Sequence, residues 1–159
     1  MKAVKGGVIY TGRDEPPIRD AFIIFDEEKG IVGISRKRNG AELVGEADVI
    51  TPAFIDGHSH IGMARAGEPS SESETNERMD TVLALVDALD SIYMDDRSFK
   101  ESVEHGVLYS CVLPGSGNVI GGKGVVIRNY ASTTEEAFIG YAGVKAALGY
   151  NPRRTTDWK

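Results

Sequence analysis

Two histidines separated by one serine are the residues of this chain whose types and spacing best suit catalysis. His58 and His60 follow the short apolar run Ala53–Ile55, which is typical of a β-strand. Residues i and i+2 of a strand point to the same side, so both imidazoles can reach one metal ion. Asp56 shares their parity, and it either caps the loop or supports a histidine. Taken alone, the spacing is equally compatible with a surface or packing role.

The flanking sequence adds specificity to this pair. A proline, an apolar pair and then Asp-Gly-His-Ser-His fill positions 51–61, and two further distinctive segments occupy positions 106–122 and 143–154. The first segment resembles the opening motif of the metal-dependent amidohydrolase superfamily. The other two resemble the "GVTtvvvlPGSaNviGG" and "gvKmAlGeNPKR" segments of its imidazolonepropionase-like branch, so the resemblance covers nearly the whole chain.

This resemblance implies hydrolysis of an amide or other C–N bond in a small-molecule substrate by metal-bound water. It also implies a divalent metal cofactor, with zinc expected, and it makes His58 and His60 metal ligands. Lys145 lies in the third segment. Some superfamily members carboxylate a barrel lysine to bridge two metals, so Lys145 is a candidate bridging or site residue, with an ordinary solvated lysine as the alternative.

The glycine-rich loop at positions 115–124 permits close backbone approach at a strand end. We expect it to border the same cleft as His58, with Gly115, Ser116 and Asn118 as its candidate site residues. The run 117–123 also fits the first seven positions of a phosphate-binding loop. Gly124 stands where that motif needs Ser or Thr, and a strand-forming run follows, so nucleotide binding is not expected.

The elements that must position these residues divide the chain into two predicted domains. Residues 1–50 alternate short β-like runs with turn signals and predict a small antiparallel sheet. Residues 51–159 predict an α/β order of strands and helices. The predicted elements of this second part are a strand at 51–60, a loop at 68–77, a helix at 79–93, a short helix ending at Gly106, strands at 107–114 and 125–130, a helix from about Thr134 and a strand at 143–148.

This order, together with the resemblance, predicts the first strands and helices of a TIM-type (β/α) barrel after a small N-terminal β segment. A complete barrel takes about 250 residues. The chain has 159 residues and no histidine after His105, whereas the family draws further ligands from later strands. We therefore expect the sequence to be the N-terminal portion of an amidohydrolase that is inactive by itself. The alternative is a non-catalytic binding or scaffolding module derived from the same fold.

Composition limits the partners. The chain carries 18 Lys and Arg against 24 Asp and Glu, a net charge of −6, which is the wrong sign for a general nucleic-acid binder. No apolar run approaches the ~20 residues that span a bilayer, so we expect no membrane partner and a cytoplasmic location.

Cys111, the single cysteine, is expected in a buried strand. Uncovered strand edges of a partial barrel predict self-association into a homo-oligomer.

Overall fold

The computed structural model describes residues 1–153, and the chain divides into two compact units, Met1–Pro52 and Ala53–Lys159. Each unit is built on one four-stranded sheet. Within the described residues no helix is long and apolar enough to cross a lipid bilayer.

The first unit contains strands β1 (Lys2–Ile9), β2 (Ile18–Asp26), β3 (Gly30–Ser35) and β4 (Glu42–Ile50) in the order β3-β2-β1-β4. The pairs β1–β2 and β2–β3 are antiparallel, whereas β1–β4 is parallel. The expectation of a purely antiparallel sheet is therefore wrong for one pair. After β3 the chain turns at Asn39 and Gly40, both with positive φ, and β4 begins beside Lys2 on the far side of β1.

The second unit contains strands β5 (Phe54–Ser59), β6 (Val107–Val112), β7 (Ile120–Arg128) and β8 (Phe138–Ala146) in that spatial order. Strands β5 and β6 are parallel, and β6–β7 and β7–β8 are antiparallel. The helices are α1 (Arg97–Glu104), the four-residue α2 (Thr134–Ala137), and single 3₁₀ turns at Ser70–Glu72, Ala88–Ser91 and Asn151–Arg153.

The predicted fold class, the opening of a TIM-type α/β barrel, is wrong. The described residues form a β-rich architecture of two mixed sheets with few helices and no closed barrel. One reason is connection length, since a parallel crossover needs a dozen or more residues and only the short segment 113–119 joins β6 to β7. A second is burial: barrel strands are covered on both faces, whereas Phe54 and Ile55 of β5 are 59% and 69% exposed.

The helix predicted at 79–93 is also wrong. Residues 75–87, here called the strap, form an irregular segment of bends and one turn that runs alongside the start of β7 with parallel bridges Val82↔Ile120 and Asp87↔Lys123. The Leu83 N–H donates to the Ile120 carbonyl rather than to its own helical turn. Met79, the first residue of the predicted apolar stripe, is 90% exposed. Leu85, which lies next to the stripe residue Val86 in sequence, is 93% exposed. Pairing with β7 therefore overrides the helical periodicity.

The short helix before Gly106 is confirmed as α1. The Asp96 carboxylate accepts the Ser98 N–H at 2.8 Å and caps its N-terminus, and Phe99 is buried beneath it. Gly106, with φ of 81°, follows the C-cap residue His105. The strand at 107–114 is confirmed as β6, while the helix from Thr134 lasts only four residues because β8 begins at Phe138, earlier than the predicted 143.

The core of the second unit lies between the sheet and the segments that cover it. Its buried residues are Met63, Ala88, Ile92, Phe99, Val112, Val125, Ile127 and Ala137. They come from the segment after β5, the 3₁₀ turn that follows the strap and the residue after that turn, α1, both central strands and α2. Packing of Ala88 therefore fixes the strap's C-terminal end. Cys111 on β6 is partly buried.

Candidate functional site

The end of β5 places the two predicted metal ligands side by side. The ring centroids of His58 and His60 lie 5.5 Å apart at an interplanar angle of 86°. Two imidazoles that share one tetrahedral zinc, with Zn–N bonds of about 2.0–2.1 Å, have centroids roughly 5 Å apart. The two rings are therefore neighbours, at a separation close to the one that a shared ion would give, and their common side of the strand stays a prediction.

A backbone carbonyl holds the His60 ring. Nδ1 of His60 lies 2.6 Å from the Leu113 carbonyl oxygen. A carbonyl can only accept, so Nδ1 carries the proton and donates it, which leaves the lone pair of the neutral ring on Nε2. Leu113 is itself fixed, because its N–H donates to the Ser59 carbonyl at 3.0 Å. Such a carbonyl is the usual support of a metal-binding histidine.

The His58 ring instead meets a lysine. Nε2 of His58 lies 3.4 Å from Nζ of Lys145, a residue of β8. An ammonium has no lone pair, so Lys145 donates and Nε2 accepts. The structure thus brings together three predicted site residues that are up to 87 positions apart in sequence.

Asp56 has a backbone role. Its Oδ1 accepts the His58 N–H at 3.0 Å, a local turn of the kind that aspartate favours. Of the two roles left open by the sequence, the capping role is the one that this geometry shows.

The glycine-rich loop is held by the strap. The N–H of Gly115 donates to the Thr75 carbonyl, and Ser116 Oγ accepts from Nδ2 of Asn151. Asn118 is buried, and its Nδ2 donates to the carbonyls of Glu77 and Asp80 at 3.0 and 2.7 Å. The loop directly follows Leu113, which holds His60. The last part of the glycine-rich run, from Ile120, belongs to β7, where a Cβ at Gly121 would lie 3.7 Å from Lys145 Cγ on the neighbouring strand β8.

Sequence reasoning missed Asn76, which lies in a stretch interpreted as a solvated loop. Its Oδ1 accepts the Gly117 N–H at 2.7 Å, and its side chain occupies the space beside Gly115 and Gly117. A single polar residue within a Ser- and Glu-rich run gives no signal of such a contact. The two glycines were visible, but what they make room for was not.

A second missed group fastens the other end of the strap, and we call it the latch. It consists of Asp87, Lys123 and Tyr141. Asp87 Oδ2 lies 2.7 Å from Lys123 Nζ and accepts the Tyr141 hydroxyl at 2.8 Å, while Oδ1 accepts the Leu89 N–H. Burial acts to raise the pKa of Asp87, but hydrogen bonds from Lys123, Leu89 and Tyr141 outweigh it and hold the pKa below its usual value.

The imidazole pair fits a metal as part of a ligand set. In residues 1–153 no three His, Cys, Asp or Glu side chains converge on one point that could hold an ion. Catalytic zinc sites use three protein ligands beside an open position. His58 and His60 could supply at most two ligands of such a site, and the described part of the chain offers no third His, Cys, Asp or Glu beside them.

The chain resembles two known amidohydrolases. No family model matches the chain. The chain is 25% identical over 145 residues to the amidohydrolase tasK of Hapsidospora irregularis, an alignment that covers 79% of this chain and 15% of that protein. It also matches the crystal structure of an amidohydrolase from Thermotoga maritima MSB8, with a TM-score of 0.86 and 30% identity, over 98% of this chain and 41% of that one.

The chain thus spans less than half the length of both relatives. Two amidohydrolases, one matched in sequence and one in both sequence and structure, support an amidohydrolase family for this chain. The finer assignment to the imidazolonepropionase-like branch stays a prediction.

Proposed function

We propose that this chain is part of a metal-dependent amidohydrolase in which His58 and His60 bind a divalent ion, with zinc expected. The reaction would be hydrolysis of an amide or other C–N bond of a small molecule. The observation that carries the proposal is the proximity of the two imidazoles, with His60 oriented through Leu113, in a chain similar to amidohydrolases.

The residues of the site would act by position and by their lone pairs. The Leu113 carbonyl keeps the proton of His60 on Nδ1, so Nε2 is available as a neutral ligand. A divalent ion bound there supplies a water of pKa near 7 and polarises a substrate carbonyl. The glycine-rich loop, with Gly115, Ser116 and Asn118, would form one wall of the cleft beside these histidines.

Residues 1–159 alone are expected to bind metal weakly and to lack turnover. Two imidazoles are fewer than the three protein ligands that catalytic zinc sites use. The small-molecule substrate and a homo-oligomeric state belong to this proposal as well.

Zinc titration by calorimetry on the purified chain tests the proposal. We expect one site per chain that is lost in His58→Ala and in His60→Ala. His105→Ala is the matched control, because that histidine caps α1 through the Glu101 carbonyl and should leave zinc binding unchanged. The metal assignment fails if the wild-type chain binds no zinc, or if all three variants bind it equally.

A further inference from the structure

We infer that Lys145 competes with the metal ion for Nε2 of His58, so that it lowers the metal affinity of the site. This inference rests on the proposed metal role of His58 and His60. It differs from the candidate bridging role that the resemblance offered for Lys145, because a bridging lysine would strengthen metal binding and a competing lysine weakens it.

The competition follows from the lone pair. A neutral imidazole has one lone pair in the ring plane, on the nitrogen that lacks the proton. Lys145 Nζ approaches Nε2 of His58 at 3.4 Å and can only donate, so it uses the lone pair that a metal bond through Nε2 would need. The two interactions are therefore mutually exclusive at that atom.

The fold holds the lysine in this place. Lys145 pairs with Gly122 in the β7–β8 register, and Gly121 has no side chain where one would approach Lys145. Among the described residues Lys145 forms no ion pair, whereas Lys123 on the neighbouring strand is bound to Asp87. No carboxylate within the described range therefore draws the Lys145 ammonium away from His58.

Charge adds to the effect of the lone pair. A divalent ion at His58 would meet the ammonium within a few ångströms, and the repulsion falls away only if the flexible lysine rotates into solvent. His58 is exposed and Lys145 is partly exposed, so water screens this repulsion. The combined penalty should weaken zinc binding on the order of tenfold.

The test is zinc titration calorimetry on Lys145→Met, Lys145→Arg and the wild-type chain. Methionine keeps the length of the side chain without its charge or donors, and it should tighten binding about tenfold. Arginine keeps the cation and should leave the affinity near that of the wild type. Lys100→Met is the control for net charge, because Lys100 lies on α1 and pairs with Glu104, and it should change little.

The two ideas fail in different ways. If zinc binding is weakened by Lys145→Met, the lysine supports the metal and the inference is overturned. Equal affinities of Lys145→Met and the wild type overturn it as well. In both cases the metal role of His58 stands, provided His58→Ala still abolishes binding. If His58→Ala has no effect, the proposed function itself falls.

Discussion

The latch should contribute a charge-dependent part of the stability of the second unit. Replacing Asp87 by asparagine keeps an acceptor for the Leu89 N–H but removes the carboxylate that binds Lys123 and Tyr141. The Asp87 side chain is only 13% exposed, so the lost interactions are poorly replaced by water. Hydrogen bonds to charged groups contribute about 1.5–3 kcal/mol, so we expect a loss of roughly 2 kcal/mol in the free energy of unfolding.

The pH dependence identifies the charge as the source. Because the folded-state pKa of Asp87 is depressed, its contribution is present above the unfolded-state pKa, near 4, and is lost as the pH falls through the folded-state value. Urea unfolding followed by circular dichroism should therefore show the full difference between wild type and Asp87→Asn at pH 7. The difference should shrink steadily below about pH 4.

Asp90→Asn is the matched control, since Asp90 lies on the adjoining 3₁₀ turn with its side chain exposed, and the cost should stay within about 0.5 kcal/mol. Hydrogen exchange across the strap should also quicken in Asp87→Asn. An Asp87→Asn deficit that is the same at pH 3 and pH 7 would refute the reasoning, because the carboxylate charge would then contribute nothing.

Two further substitutions test how the strap and the glycine-rich loop are joined. Asn118→Ala removes the donor to the Glu77 and Asp80 carbonyls and should lower the free energy of unfolding in urea by about 2–3 kcal/mol. The control Asn151→Ala removes an exposed hydrogen bond to Ser116 and should cost under about 1 kcal/mol. Equal losses would show that burial of Asn118 is unimportant. Gly122→Ala should cost more than about 2 kcal/mol, since φ is +106° and the new Cβ would lie 2.4 Å from the Val86 carbonyl oxygen. The control Gly149→Ala, with open space around the new Cβ, should leave the stability nearly unchanged. A Gly122→Ala protein with wild-type stability would contradict the close approach of Gly122 to the Val86 carbonyl.

The histidine pair could be predicted because its geometry is local. Alternation along a strand predicts that His58 and His60 share one side whatever the rest of the fold does, and their rings do lie 5.5 Å apart. Their supports could not be predicted in this way, because Leu113 and Lys145 reach them only through strand pairing across the sheet. Period-two reasoning indicates which side chains share a face but not which distant strand lies next to them.

The error over residues 79–93 has the same origin. Apolar residues three and four apart favour a helix when the chain has no other partner for its backbone. Here the carbonyl of Ile120 and the N–H groups of Val119 and Lys123 offer the strap such partners. The parallel order predicted after residue 107 is wrong because the short connections bring β7 and β8 back antiparallel.

The strap also bears on how quickly the second unit can fold. Its contacts with the glycine-rich loop join residues 38 and 41 positions apart, and His60 meets a carbonyl 53 positions away. Closing loops of this length costs chain entropy before any contact compensates for it, and topologies dominated by such contacts fold slowly. Helix α1, whose backbone hydrogen bonds are local, can form early. The orientation of the His60 ring should be among the last features to appear during refolding.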